Sequence, residues 1–134
     1  MDKIESARNR KVSLWLQYAS DDLRVAEHAL KLSSSCPYWL IAYHAQQSVE
    51  KCIKAYLVSR DRDFPYTHDI KTLLDLCDDA FSTPIQIAKY VSPYAVTTRY
   101  PGQSEPVTKS EALEAIDIAK KVQEHVTDIL KTKS

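Results

Sequence analysis

Residues 37–59 read PYWLIAYHAQQSVEKCIKAYLVS, and this stretch decides the fold. Proline is tolerated in the first turn of a helix, and the serines at 33–35 are good capping residues, so a helix is predicted from here to about Ser59. Apolar residues recur at three- and four-residue steps and form one ridge: Ala42, Ala45, Val49, Cys52 and Tyr56. The stretch therefore predicts a long amphipathic helix.

Further helices are predicted on both sides of this stretch. An amphipathic helix before it is indicated by residues that recur at three- and four-residue steps: Trp15, Tyr18, Ala19, Asp22, Leu23, Ala26 and Leu30. The tetrapeptide TKSE at 108–111 has the pattern of a capping box, which predicts the start of a last helix. The predicted ridge of that helix is Leu113, Ile116, Ala119 or the stem of Lys120, Val122 or Gln123, Val126 and Leu130. Between them, Thr67 and Thr83 are N-cap signals for two shorter helices. The predicted helices span residues 4–32, 37–59, 68–81, 84–91 and 109–131, with a loop at 94–107.

Glycine is almost absent, since the 134 residues contain only Gly102. Tight hairpins usually need glycine, asparagine or aspartate at positive φ, and no Asn-Gly or Asp-Gly pair occurs, which argues against a β-sandwich or barrel. A Walker A loop and a GxGxxG dinucleotide loop need several glycines and are excluded. We therefore predict an all-α fold, with residues 1–134 forming a single domain: an antiparallel up-and-down bundle of four to five helices.

Charge and cysteine content restrict the class of protein further. The 18 basic and 18 acidic residues balance, so an anionic partner would have to bind at a local cluster. The three cysteines lack metal-ligand spacing, and no two histidines lie three or four residues apart, so neither a cofactor nor a metal is expected. Without a signal peptide or a long apolar span, the sequence predicts a cytoplasmic protein that does not bind membranes.

The predicted second helix carries a polar stripe beside its apolar ridge. At steps of three, four and three residues lie His44, Gln47, Lys51 and Lys54, with Gln46 and Glu50 on the adjoining face. Two lysines one turn apart, beside a histidine and a glutamine, can hold a phosphate. The alternative, which the spacing alone favours, is a solvated face with Gln47–Lys51 and Glu50–Lys54 pairs.

Histidine and arginine residues in two loops are candidates for chemistry on phosphate groups. His68, beside Asp69 at a predicted helix start, can bond a phosphate or act as a base, or else serve as a second capping group. Arg62 and His68 would be a sufficient pair for metal-free RNA cleavage, in which the 2′-hydroxyl attacks. Arg99 and Tyr100 precede a Pro-Gly turn, where they suit a phosphate and a base, or where the arginine pairs with an acidic helix face.

Four motifs together resemble the HEPN domain family. In chain order they are ASDDL at 19–23, YHAQQSVEKCIKAYL at 43–57, THDI at 67–70 and TRYP at 98–101. The resemblance implies a helical bundle that usually forms a homodimer and is commonly encoded beside a minimal nucleotidyltransferase, often as a toxin–antitoxin pair. Many members are proposed to bind nucleotides. Some are metal-independent RNases with an arginine and a histidine that have four to six residues between them. Arg62 and His68 match that spacing, earlier in the chain than in those members.

Three functional hypotheses follow. The leading one is a homodimeric nucleotide-binding module that acts with a separate minimal nucleotidyltransferase, and its candidate binding residues are Gln47, Lys51, Lys54, His68, Arg99 and Tyr100. The alternative is a metal-independent endoribonuclease toxin, with Arg62 or Arg99 on the phosphate and His68 in proton transfer. A second alternative is a non-catalytic helical assembly protein whose polar stripe is solvated.

Overall fold

The computed structural model describes residues 2–77 and 107–131, which fold into helices α1 (Lys3–Ala29), α2 (Tyr38–Ser59), α3 (Ile70–Asp75) and α4 (Lys109–Lys131). These residues contain no strand, which confirms the predicted all-α fold. They also contain no helix long and apolar enough to cross a membrane. The predicted helix at 84–91, nearly all of the loop at 94–107 and the end of the predicted third helix lie outside the described residues.

The central element is α2, which packs against α1, α3 and α4. All five residues of its predicted apolar ridge are fully buried. Four more apolar residues of the helix are buried as well: Ile41, Ile53, Ala55 and Leu57. A helix that is apolar around most of its circumference is a core helix, so neighbouring elements also cover several of its polar residues.

The first helix, α1, contributes a narrow apolar face to the core. Its buried residues are Ala19, Leu23 and Ala26. Tyr18, which the spacing assigns to the same ridge, is instead 50% exposed. The helix ends at Ala29, three residues earlier than predicted, because the amides of Lys31 and Leu32 bond to carbonyls three residues back and tighten the chain into a turn.

The start of α3 differs from the prediction in a way that matters for the site. The sequence predicts Thr67 as the cap, whereas Asp69 is the N-cap and the helix begins at Ile70. The Asp69 carboxylate accepts the Lys71 amide at 3.2 Å, and a negative cap also favours the helix N-terminus electrostatically. Thr67 accepts a hydrogen bond from the Asp69 amide instead. His68 therefore lies in the turn before the helix.

The last helix, α4, begins as its capping box predicts. The Thr108 amide donates to Glu111 Oε1 at 2.9 Å, and the Glu111 amide donates to Thr108 Oγ1 at 3.1 Å. Four predicted ridge residues are buried: Ile116, Ala119, Val122 and Val126. Leu113, assigned to the same ridge, is 44% exposed, and Ala112 and Ala115 face the core in its place.

Candidate functional site

Glu50 lies in the middle of α2 and is almost completely buried. Its Oε1 accepts a hydrogen bond from Lys54 Nζ at 2.8 Å, one turn further along the helix. His68 Nδ1, from the turn before α3, lies 2.9 Å from Oε1 and 3.1 Å from Oε2. A buried carboxylate is tolerated only when it is paired and hydrogen-bonded, and these two partners meet that requirement.

Two glutamines of α2 extend this network. Gln46 Nε2 lies 3.4 Å from Glu50 Oε2 and 3.4 Å from the backbone oxygen of His68. Gln47 Nε2 donates to Gln46 Oε1 at 3.0 Å. Because both glutamines are buried, these contacts attach the turn before α3 to the core helix.

The Lys54 ammonium is enclosed by aromatic rings as well as by the Glu50 carboxylate. It lies 5.4 Å from the centre of the Trp15 ring and 5.7 Å from the centre of the Phe64 ring. Trp15 belongs to α1 and Phe64 to the segment after α2, and the two rings meet edge to face. Desolvated cation–π contacts are worth roughly 2 kcal/mol, so the rings stabilise the buried charge.

A second ion cluster forms where α1 faces α2. Asp22 Oδ1 lies 3.0 Å from His44 Nδ1, and Asp22 Oδ2 accepts a hydrogen bond from Lys51 Nζ. The Asp22 side chain is 14% exposed, whereas those of His44 and Lys51 are about a quarter exposed. Asp22 therefore compensates the charge of Lys51, whereas Glu50 compensates that of Lys54.

Metal ligands and cysteine thiols are the other groups of the described residues that could carry chemistry. In residues 2–77 and 107–131, no three His, Cys, Asp or Glu side chains are placed to hold a metal ion. The three cysteines, all within those ranges, are free thiols. Burial raises the pKa of the Cys52 thiol from 9.0 to about 12, so this residue is not a nucleophile at neutral pH.

A sequence model of the HEPN domain family matches residues 12–129, which is most of the chain. The chain belongs to the HEPN domain family. No match is found among curated proteins.

Two solved structures are similar to this HEPN domain. The protein TT1696 from Thermus thermophilus is 31% identical, with 88% of this chain and 97% of that chain covered and a TM-score of 0.74. ST0689, an archaeal HEPN homologue, is 25% identical, with 87% and 95% of the chains covered and a TM-score of 0.70. Both likenesses extend over nearly the whole length of the related chain, which supports the helical-bundle fold.

The polar stripe of this HEPN domain is not the solvated face that the spacing favoured. Gln47, Glu50 and Lys54 are all buried. Of the two predicted side-chain pairs, Glu50–Lys54 is confirmed, whereas Gln47 donates to Gln46 and Lys51 donates to Asp22. The reason is that α1 and the segment after α2 cover this side of the helix.

The predicted site residues fall into separate groups. Lys54 and His68 both contact Glu50. Gln47 reaches Glu50 only through Gln46, whereas Lys51 contacts Asp22. Arg62 Nη1 donates to the Leu76 carbonyl at 2.7 Å, so Arg62 and His68 contact different partners. Asp69 and Thr67 provide the caps of α3, and the His68 ring is therefore not a second capping group. Arg99 and Tyr100 lie outside the described residues.

Sequence reasoning did not assign a site role to Asp22, Trp15 or Phe64, and it placed Glu50 on a solvated face. One signal was available in the sequence. Between Glu50 and Lys54 lie Cys52 and Ile53 as well as the charged Lys51, and the pair is flanked by Val49 and by residues 55–57, which are apolar. A charged pair at i,i+4 spacing in a mostly apolar stretch is typical of a buried pair. The aromatic enclosure had no comparable signal, because Trp15 and Phe64 are distant from Lys54 in the chain.

The arrangement fixes one imidazole at the edge of the core. The His68 side chain is 63% exposed, although its Nδ1 is bonded to a carboxylate that is 2% exposed. A carboxylate on one ring nitrogen fixes the orientation of the ring, so the other nitrogen can meet a ligand. Chemically, such a histidine can donate to an anion or transfer a proton.

Proposed function

We propose that this HEPN domain binds a nucleotide, forms a homodimer and acts with a separate minimal nucleotidyltransferase as a toxin–antitoxin-like pair. The observation that carries the nucleotide proposal is the exposed His68 ring on the buried Glu50 carboxylate. HEPN domains often dimerise, which supports the homodimer. The partnership with a nucleotidyltransferase rests on the family resemblance.

The proposed phosphate site lies around His68 and the exposed edge of the polar stripe. Its members are Gln47, Lys51, Lys54, His68, Arg99 and Tyr100. Lys51 and Lys54 already face Asp22 and Glu50, so each lysine charge is compensated within the chain. The positive charge that a phosphate needs would come from Arg99, with the second ring nitrogen of His68 donating a hydrogen bond to the phosphate and Tyr100 against the base. Lys54 and Gln47 would contribute from the buried side of the site, where they hold Glu50 and Gln46 in place.

Calorimetric titration with ATP and GTP tests this proposal. We expect saturable binding to the wild-type chain, and about tenfold weaker binding after His68→Ala, which removes one charge-assisted hydrogen bond. The double variant Lys51→Ala with Arg99→Ala should also bind more weakly. Lys121→Ala removes an exposed lysine of α4 and should change nothing. Unchanged binding in both site variants, with circular dichroism showing a folded chain, would show that the site is wrong.

The His68–Glu50 pair also favours the second candidate, a metal-independent endoribonuclease. A base whose ring is oriented by a carboxylate is a common arrangement for proton transfer. In this candidate His68 moves the proton, and Arg62 or Arg99 neutralises the phosphate. Purified chain should then cleave RNA in EDTA, and expression should arrest growth unless His68 is replaced by alanine. An absence of cleavage in both EDTA and Mg²⁺ rejects this activity and leaves the binding proposal intact.

A further inference from the structure

One side of α1 exposes apolar side chains along the length of the helix. The large apolar residues exposed on α1 are Ile4, Leu14, Tyr18 and Val25, with exposures between 43% and 74%. The side that faces the core is different, since Ala19, Leu23 and Ala26 are buried there. Isolated apolar residues on a surface are ordinary, but several large ones on one side of a helix mark an interaction surface.

These exposed residues follow a seven-residue repeat. Ile4, Tyr18 and Val25 occupy one position of the repeat, and Leu14 occupies the second position of the usual apolar pair. The other members of the two rows are Ala7, Lys11, Asp21 and His28, all exposed. We call these eight residues the α1 seam. A spacing of 3.5 residues keeps one side of a helix against a second helix over many turns.

Two depressions follow one another along the α1 seam. The first has a volume of about 750 Å³ and lies between the first half of the seam and residues 61–64. The second has a volume of about 660 Å³ and includes Val25, His28 and Leu32. A single helix lying along the seam would occupy both depressions.

We infer that this helix is α1 of a second copy of the chain, lying antiparallel. The inference rests on the proposed homodimer and specifies its contact surface. In an antiparallel pair, residues of one row face residues of the other row. A twofold axis beside residue 16 then places Ile4 opposite His28, Ala7 opposite Val25, Lys11 opposite Asp21 and Leu14 opposite Tyr18 of the second copy.

Charge selects both the partner and the direction. Lys11 is the basic member of the seam and Asp21 the acidic one, and the antiparallel pairing puts them opposite each other twice, once on each side of the axis. A parallel pairing in register would place Lys11 beside Lys11 and Asp21 beside Asp21. The first depression is lined by four basic residues (Lys3, Arg8, Lys11 and Arg62) and by two acidic ones (Asp61 and Asp63), of which Asp61 pairs with Arg8. Its net charge is therefore positive, and it would receive the half of α1 that carries Asp21 and Glu27 together with Arg24.

Sedimentation velocity of charge-swap variants tests the inference. Lys11→Asp and Asp21→Lys should each weaken the dimer by about tenfold, because each places like charges in contact, and the combined variant should restore it. Leu14→Glu with Tyr18→Glu should give a folded monomer. The matched control is Leu113→Glu, an equally exposed leucine on α4, which should leave the dimer unchanged.

The possible failures are distinguishable. A wild-type chain that sediments as a monomer at about 100 μM would contradict the homodimer itself, whatever the variants do. The other failure contradicts only the α1 seam. In that case the wild-type chain is a dimer, the variant Leu14→Glu with Tyr18→Glu is a dimer as well, and the effects of Lys11→Asp and Asp21→Lys add in the combined variant. Nucleotide binding, measured separately by calorimetry, would not be affected by either result.

Discussion

Removing one charge from the buried Glu50–Lys54 pair should destabilise the protein far more than removing both. The Glu50 side chain is 2% exposed and the Lys54 side chain 11% exposed, so a charge left alone there cannot be hydrated. Glu50→Gln keeps the shape and removes the charge. Lys54→Met keeps the length and removes the ammonium. The combined variant replaces the pair with two neutral side chains.

The magnitude follows from the geometry. At 2.8 Å and an effective dielectric constant of about 20, the attraction between the two charges is roughly 6 kcal/mol. In Glu50→Gln, the Trp15 and Phe64 rings contact the ammonium as they do in the wild type, so they do not change the difference. In Lys54→Met, the Glu50 carboxylate keeps its contacts with His68 and Gln46, so the net loss is smaller than the attraction itself. Each single variant should therefore lose about 3 kcal/mol of unfolding free energy. The combined variant should lose only about 1–2 kcal/mol, because the cost of burying charge disappears together with the attraction.

Urea unfolding followed by circular dichroism measures this coupling. All four chains are compared at pH 7 and at one protein concentration, because a dimer makes stability depend on concentration. The expected coupling energy is about 4 kcal/mol. The matched control is the pair Asp117–Lys121, which has the same i,i+4 spacing and a 2.9 Å contact but is more than half exposed. Its coupling should be about 0.3–0.5 kcal/mol.

The reasoning is refuted if Glu50→Gln and Lys54→Met each cost less than about 1 kcal/mol, which is the range of an exposed pair. The reasoning is equally refuted if the combined variant loses the sum of the two single losses of unfolding free energy. Additive losses would mean that the two charges do not interact in the core. A coupling no larger than that of Asp117–Lys121 would place the pair in solvent.

Other consequences concern single residues. Cys52 should resist iodoacetamide at pH 8 until the chain is denatured, as mass spectrometry of its peptide would show, because its raised pKa and burial both oppose reaction. The same raised pKa stabilises the fold below pH 9, and this contribution is lost as the pH rises towards 12. From pH 8 to 10, the wild-type chain should therefore lose about 1.4 kcal/mol more unfolding free energy than Cys52→Ala does. Equal losses in the two chains would contradict this. Thr108→Ala should cost about 1 kcal/mol in urea unfolding, whereas Thr108→Ser, which keeps the hydroxyl that caps α4, should cost much less.

Local signals in the sequence predicted most of the fold. The start of α2 beside Pro37 and the capping box of α4 depend on residues within a few positions of each other, and both positions are confirmed. The predicted serine cap of α2 was wrong, because Pro37 itself is the N-cap and no side chain caps the helix. The predicted start of α3 was wrong because Thr67 and Asp69 are both good caps. A sequence alone does not say which of the two accepts hydrogen bonds from the first amides of the helix. The predicted end of α1 was wrong for a similar reason, because a tight turn and another helical turn differ little in free energy.

The site was less predictable because it depends on contacts between distant residues. Helical spacing correctly put Glu50 and Lys54 one turn apart, but it does not say what covers that side of the helix. The cover is provided by Trp15 from α1 and by Phe64 and His68 from the segment after α2. These contacts change the interpretation of the same residues from a hydrated surface to a buried network.

The most direct test of the central claim is the NMR signal of the His68 imidazole during a titration with ATP. If His68 is the residue through which the site meets a nucleotide, its ring signals should shift with the same saturation curve that calorimetry gives. The ring signals of His125, on α4, should not follow that curve. Saturable ATP binding that leaves His68 unshifted would contradict the proposed site, and no saturable binding would contradict the nucleotide-binding function.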